Sequence, residues 1–144
     1  MGVCFIGIMS DCIFCKIVHG ILPSHQIYED DRFLAFLSLY PASKGHTLVI
    51  PKNHYDRVWD LPEDEIGGYF KVCKKIANHF ADVTADKRVY SMVFGNEVAH
   101  AHVWLIPTFD GGSSDQVVGA IMELDKPMLD QADAEVLVKN LKID

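Results

Sequence analysis

Three side chains at alternate positions, His100, His102 and Trp104, carry the most promising chemistry of this chain. In an extended strand, residues i and i+2 share a face about 7 Å apart, so both imidazoles and the indole would stand on one surface. Ala101, Val103 and Leu105 alternate with them and would pack the opposite face on a core. A neutral imidazole is a competent nucleophile near neutral pH when one ring nitrogen is free and the other is held protonated. Gly95-Asn96-Glu97 precedes the run as a turn whose backbone N–H groups could face an anion. Pro107 closes it, having no N–H to give a ladder. Taken alone, His-x-His also describes an ordinary strand with two exposed histidines.

The elements that must position these groups can be read outward from them. Asp11 to Gly20 contains Cys12-x-x-Cys15 and a short apolar turn, read as one or two helical turns closed by Gly20. His25–Tyr28 and Phe33–Leu39 are β-type runs around a Glu29-Asp30-Asp31 turn. After a second turn, Ala42-Ser43-Lys44-Gly45, the run His46–Pro51 reads as a buried strand. Asp60–Ala81 is the long helix: Asp60 and Glu63 have capping-box spacing, with Pro62 in the first turn. Ile66, Tyr69, Phe70, Cys73, Ile76, Ala77 and Phe80 share a face, which makes Cys73 an inert core thiol. Arg88–Phe94 is a further strand, joined to the histidine strand by a short turn. Weaker helical patterns follow near 115–123 and 131–141. The whole reads as an α+β domain with an antiparallel sheet and a central histidine strand.

At 144 residues and 49% hydrophobic content, one globular domain with a sizeable core is expected. Residues 1–10 read as a tail or extended start, with Met9-Ser10-Asp11 the more natural beginning, and 110–144 as an extension packing on the same domain. The chain contains no apolar run of 18 residues, which argues against a membrane span. Thirteen basic against twenty acidic residues, a formal charge of −7, argue against a nucleic-acid partner. Cys4, Cys12, Cys15 and Cys73 do not form a disulfide framework, and the apolar start is too short for a signal peptide. A reducing cytoplasm is therefore expected.

Several ordered stretches resemble the histidine triad (HIT) family over nearly all of residues 11–109. They are Cys12-Ile13-Phe14-Cys15-Lys16-Ile17, Tyr28-Glu29-Asp30, Phe33-Leu34-Ala35-Phe36, Gly45 through His54, and Glu97-Val98 through Ile106-Pro107. The resemblance implies a five-stranded antiparallel sheet with one long helix and a short N-terminal helix, paired into a homodimer. It also implies nucleotide chemistry: attack on an α-phosphorus, a covalent nucleotidyl-histidine, then hydrolysis or transfer. Nucleoside phosphoramidates and dinucleoside polyphosphates are the substrates it suggests. His102 matches the nucleophile, and His46 a histidine behind it that helps orient the strand, although a hydrogen-bonded core histidine would read the same way. Phe14, Ile17, Leu22, Phe36 and Leu39 match a nucleoside pocket, while Asn96, Glu97 and Val98 belong to the phosphate loop.

A metal site follows from the same resemblance. Cys12, Cys15, His54 and His100 match a zinc-bearing branch of the family and make a closed tetrahedral set whose role is structural. The competing reading of Cys-x-x-Cys, a thioredoxin-like redox pair, needs a βαβ setting and a long following helix.

Three departures from the family pattern stand out. Trp104 takes the third triad position, where an indole N–H can donate one hydrogen bond but cannot shuttle a proton. Ser38 stands where an aspartate usually grips the ribose hydroxyls. Glu97 sits where a small serine often meets the phosphate, in a shortened loop. Two readings result: a hydrolase or nucleotidyltransferase acting through nucleotidyl-His102, and a zinc-stabilised binding protein with little or no turnover.

Overall fold

β-Branched and aromatic residues in short runs, each cut by a turn or a proline, build the sheet that carries the site. The computed structural model describes residues 11–42, 44–94, 98–108 and 130–142. Its elements are α1 (Ile13–Val18), β1 (Gln26–Glu29), β2 (Phe33–Leu37), β3 (Thr47–Pro51), α2 (Glu63–Thr84), β4 (Val89–Phe94), β5 (His102–Pro107) and α3 (Gln131–Leu141). The five strands pair in the order β1-β2-β3-β5-β4, every pair antiparallel. The α+β reading and the five-stranded sheet are thus as expected. Residues 1–10 and 109–129, including the helical pattern near 115–123, lie outside the described residues, as do Ser43 and 95–97.

Alternation divides the sheet into two apolar faces. Phe33, Ala35, Val49, Val103 and Leu105 meet Tyr69, Val72, Cys73 and Ile76 of α2. Leu34, Phe36, Leu48 and Ile50 meet Phe14 and Ile17 of α1, with Trp104 packed alongside. Burying each large aliphatic or aromatic side chain contributes about 1.5–3 kcal/mol relative to leaving it exposed. Tyr69 also donates its hydroxyl to the Val49 carbonyl at 2.6 Å, tying α2 to β3. Cys73 is buried and its thiol is pushed up to about 12 by burial, so it is inert as expected.

Local chemistry explains where the elements start and stop. Gly20, at φ +69°, closes α1: its N–H donates to the Ile17 carbonyl and that of Ile21 to Lys16, a Schellman pair. Asp30 makes the β1–β2 turn by accepting from the backbone N–H of Arg32 and Phe33 at 2.8 and 2.7 Å. The capping box expected at Asp60 and Glu63 is not formed. Leu61 precedes a proline and is held extended (ψ 137°), so α2 begins only after Pro62. The Asp60 carboxylate instead accepts from the backbone and guanidinium of Arg57 across a one-turn 3-10 helix, Val58–Asp60. The long helix then runs three residues further than expected, to Thr84. Phe70, assigned to its buried face, is 38% exposed, while Val72 is buried.

Candidate active site and metal cluster

The histidine strand is shorter than its alternation suggests, and its two imidazoles serve different places. The ladder with β3 begins at Val103 and that with β4 at His102. Before it the backbone turns away, His100 N–H donating to Val98 and Ala101 N–H to Tyr55 at 2.6 Å. The His100 ring turns to the end of β3 instead, Nε2 donating to the Pro51 carbonyl at 2.8 Å. Neither histidine is exposed: His100 is fully buried and His102 is 5% exposed.

With Nε2 of His100 protonated by that bond, Nδ1 presents a lone pair. It lies 3.4 Å from Cys12 Sγ and 3.6 Å from Cys15 Sγ. His54 does the same from the other side. Its Nε2 donates to the Asp56 carboxylate at 3.0 Å, and its Nδ1 lies 3.3 Å from Cys15 Sγ. The four donor atoms of Cys12, Cys15, His54 and His100 all lie within 4.8 Å of one another. A tetrahedral ion with bonds of about 2.0–2.3 Å needs neighbouring donors about 3.6 Å apart, so these residues could hold a metal. Both histidines of this cluster have their second nitrogen anchored, as metal-binding imidazoles require. Burial holds His100 down at about 4, which keeps its ring neutral. The Pro51 carbonyl and Asp56 were not singled out in the sequence. Asp56 lay two residues beyond a candidate ligand, a findable signal, whereas the carbonyl had none.

His102 points into a cavity of ≈ 470 Å³ between α1 and the sheet. Its Nδ1 donates to the His100 carbonyl at 2.7 Å, and since a carbonyl only accepts, the neutral ring carries its lone pair on Nε2. Phe14 packs edge-on against the ring at 5.4 Å and fixes its plane. Trp104 follows two residues later on the same face, as the alternation predicts, and lies against His46 with ring centroids 4.3 Å apart. Ala42 N–H donates to His46 Nδ1 at 3.0 Å, which places the His46 proton on Nε2. That nitrogen is buried without a hydrogen-bond partner among the described residues. Burial first, and the neighbouring His102 second, lower the His46 ring to about 4, so it is a neutral group.

Of the residues expected in the pocket, Phe14, Ile17, Phe36, Ser38, Leu39, Val98 and Trp104 line this cavity with His46 and His102. Leu22 is not among them: it packs against the α1 core cluster instead. Asn96 and Glu97 lie outside the described residues. Ile13, Pro23, Ser24, Leu37, Tyr40 and Leu48 also line it and were missed; Ile13 and Tyr40, 45% and 93% exposed, leave no periodic trace in a sequence.

An antiparallel five-stranded sheet with a pocketed, tautomer-locked histidine on an inner strand defines a class of protein. The chain belongs to the HIT domain family, whose profile matches residues 20–111. An uncharacterized HIT-like protein of Methanocaldococcus jannaschii is 38% identical over 120 residues, covering 79% of this chain and 92% of that protein. The adenosine 5′-monophosphoramidase of Saccharomyces cerevisiae is 32% identical over 129 residues, covering 89% of this chain and 82% of its own length. A solved HIT family structure from Bacillus subtilis superposes with a TM-score of 0.69 at 29% identity, covering 94% of this chain and 100% of the other.

Proposed function

We propose that this protein is a nucleotide-binding hydrolase or nucleotidyltransferase in which His102 attacks the α-phosphorus of a nucleoside phosphoramidate or dinucleoside polyphosphate. The observation that carries this reading is the bond from His102 Nδ1–H to the His100 carbonyl, which in the neutral ring puts the lone pair on Nε2, beside a cavity of ligand size. A P–N bond to Nε2 forms as the bond to the leaving group breaks. Water or a second acceptor then displaces the nucleotidyl group and restores the free imidazole. The His100 carbonyl stabilises the ring as it gains positive charge, and Phe14 keeps it aimed. His46 backs Trp104 as a neutral packing partner. The similarity to an adenosine 5′-monophosphoramidase supports the phosphoramidate class. Turnover of a fluorogenic adenosine phosphoramidate, measured beside His102→Ala, tests it.

Trp104 sets the expected leaving-group behaviour. Its indole cannot supply a proton, and general acid help is typically worth about 10²–10⁴-fold. Amine leaving groups should therefore depart slowly, and Trp104→His should raise their turnover more than that of phosphate leaving groups. An equal response of both classes would reduce Trp104 to a space-filler.

The four-donor cluster is read as a structural zinc site. A closed set of two thiolates and two imidazoles leaves no position for substrate, so zinc would supply rigidity rather than chemistry. It would tie α1 to the backbone that carries His102. A reducing cytoplasm, our expected location, keeps both thiols available. We also expect a homodimer. β4 ends the sheet order and Val93 on it is 41% exposed, so a second copy would satisfy an open edge. Light scattering should give twice the chain mass, and a monomer mass at micromolar concentration contradicts this.

A further inference from the structure

The cavity beside His102 is equipped to hold an apolar ring but poorly equipped to read a sugar. Ser38, directly after β2, lines it together with a second half-buried serine, Ser24, and the exposed Tyr40, so the hydroxyl groups there are neutral ones. The Ser38 backbone N–H donates to the His46 carbonyl at 2.9 Å, which fixes the residue at the wall. Its Oγ accepts from Tyr40 N–H at 3.3 Å, which uses one lone pair on a local turn. A vicinal diol presents two O–H donors, and the group that takes both together is a carboxylate. Among the described residues lining the cavity none is acidic. Ser38 is also only half-buried, so water competes for whatever bond it makes. Phe14, Phe36 and Leu39 supply apolar contact instead.

We infer that the site is indifferent to the ribose diol: 2′-deoxy- and 2′,3′-dideoxynucleoside 5′-phosphoryl compounds are accepted about as well as ribonucleoside ones, because the cavity lining among the described residues offers the diol no carboxylate. The inference rests on the reading that a nucleoside phosphate occupies the cavity. Binding of AMP, dAMP and 2′,3′-dideoxy-AMP to the full chain should be measured by calorimetry, with kcat/KM for the matching phosphoramidates. One neutral, solvent-competed hydrogen bond is worth about tenfold or less, so the ribo-to-dideoxy ratio should stay inside that limit. Ser38→Ala should leave the ratio unchanged. Ser38→Asp repels all three phosphates alike but offers the diol a bidentate acceptor, and should raise the ratio by about tenfold. A wild-type ratio well above tenfold, or a ratio that Ser38→Asp does not move, overturns the inference. If all three nucleotides bind alike without turnover, it stands and the catalytic reading falls. If none binds at millimolar concentration, the nucleotide reading fails and this inference with it.

Discussion

Replacing His102 by alanine is expected to lower turnover of an adenosine phosphoramidate by on the order of 10³–10⁶-fold, with melting temperature and metal content nearly unchanged. The size follows from removing the atom that forms the covalent bond, while whatever positions the substrate survives as residual catalysis. Stability should hold because the ring borders a cavity rather than filling the core: it touches Phe14 at 5.4 Å and makes one polar bond, to His100 O. Quenched reaction mixtures of the wild type should show a nucleotidyl adduct on His102 by mass spectrometry, and the variant none. His100→Ala is the contrasting change. It removes a cluster ligand, so activity, metal content and stability should fall together. If His102→Ala turns over substrate as the wild type does, the mechanism is wrong for this protein. If the wild type binds nucleotides yet turns over none, the binding-protein reading replaces it.

Much of this arrangement was legible in the residues, and the gaps have physical causes. The strands and α2 announce themselves because burial against a sheet imposes a period on the sequence. Residues 102–107 and 63–84 carry that period plainly. Alternation could not reveal that His100 leaves the ladder. The period of two persists in the sequence while the Tyr55 carbonyl takes the Ala101 N–H and the His100 ring takes the Pro51 carbonyl. The capping box failed for a similar reason: spacing alone ignored the restriction that Pro62 places on Leu61. Chemistry held by side chains of distinctive type, such as two cysteines and two histidines, was readable at a distance of 88 residues between Cys12 and His100. Chemistry held by backbone carbonyls, as at His100 and Pro51, was not, because every residue has one. The tautomers those carbonyls fix therefore leave no mark in the sequence.

Protein purified without chelator is expected to carry about one zinc per chain, and Cys12→Ser should lose it and lower the melting temperature by roughly 10 °C. The magnitude follows from what the cluster holds. α1 is six residues long, too short to persist by itself. Phe14 and Ile17 anchor it apolarly, and Cys12 and Cys15 anchor it through the cluster. Losing a ligand should cost several kcal/mol without unfolding the chain, since α2 and the sheet keep their own core. A small metalloprotein with no second core would unfold outright. Asp56→Asn separates orientation from ligation: it keeps all four donors but weakens the acceptor of the His54 Nε2–H. Zinc affinity should then fall by about 10–100-fold while the fold survives at saturating metal. Cys73→Ala, whose thiol lies in the α2 core and outside the cluster, should retain full metal content even if it is less stable. Folded wild-type protein free of zinc, or an intramolecular Cys12–Cys15 disulfide after reducing purification, would sink the zinc assignment. Either result would leave α1 held by its apolar contacts and the sheet unchanged.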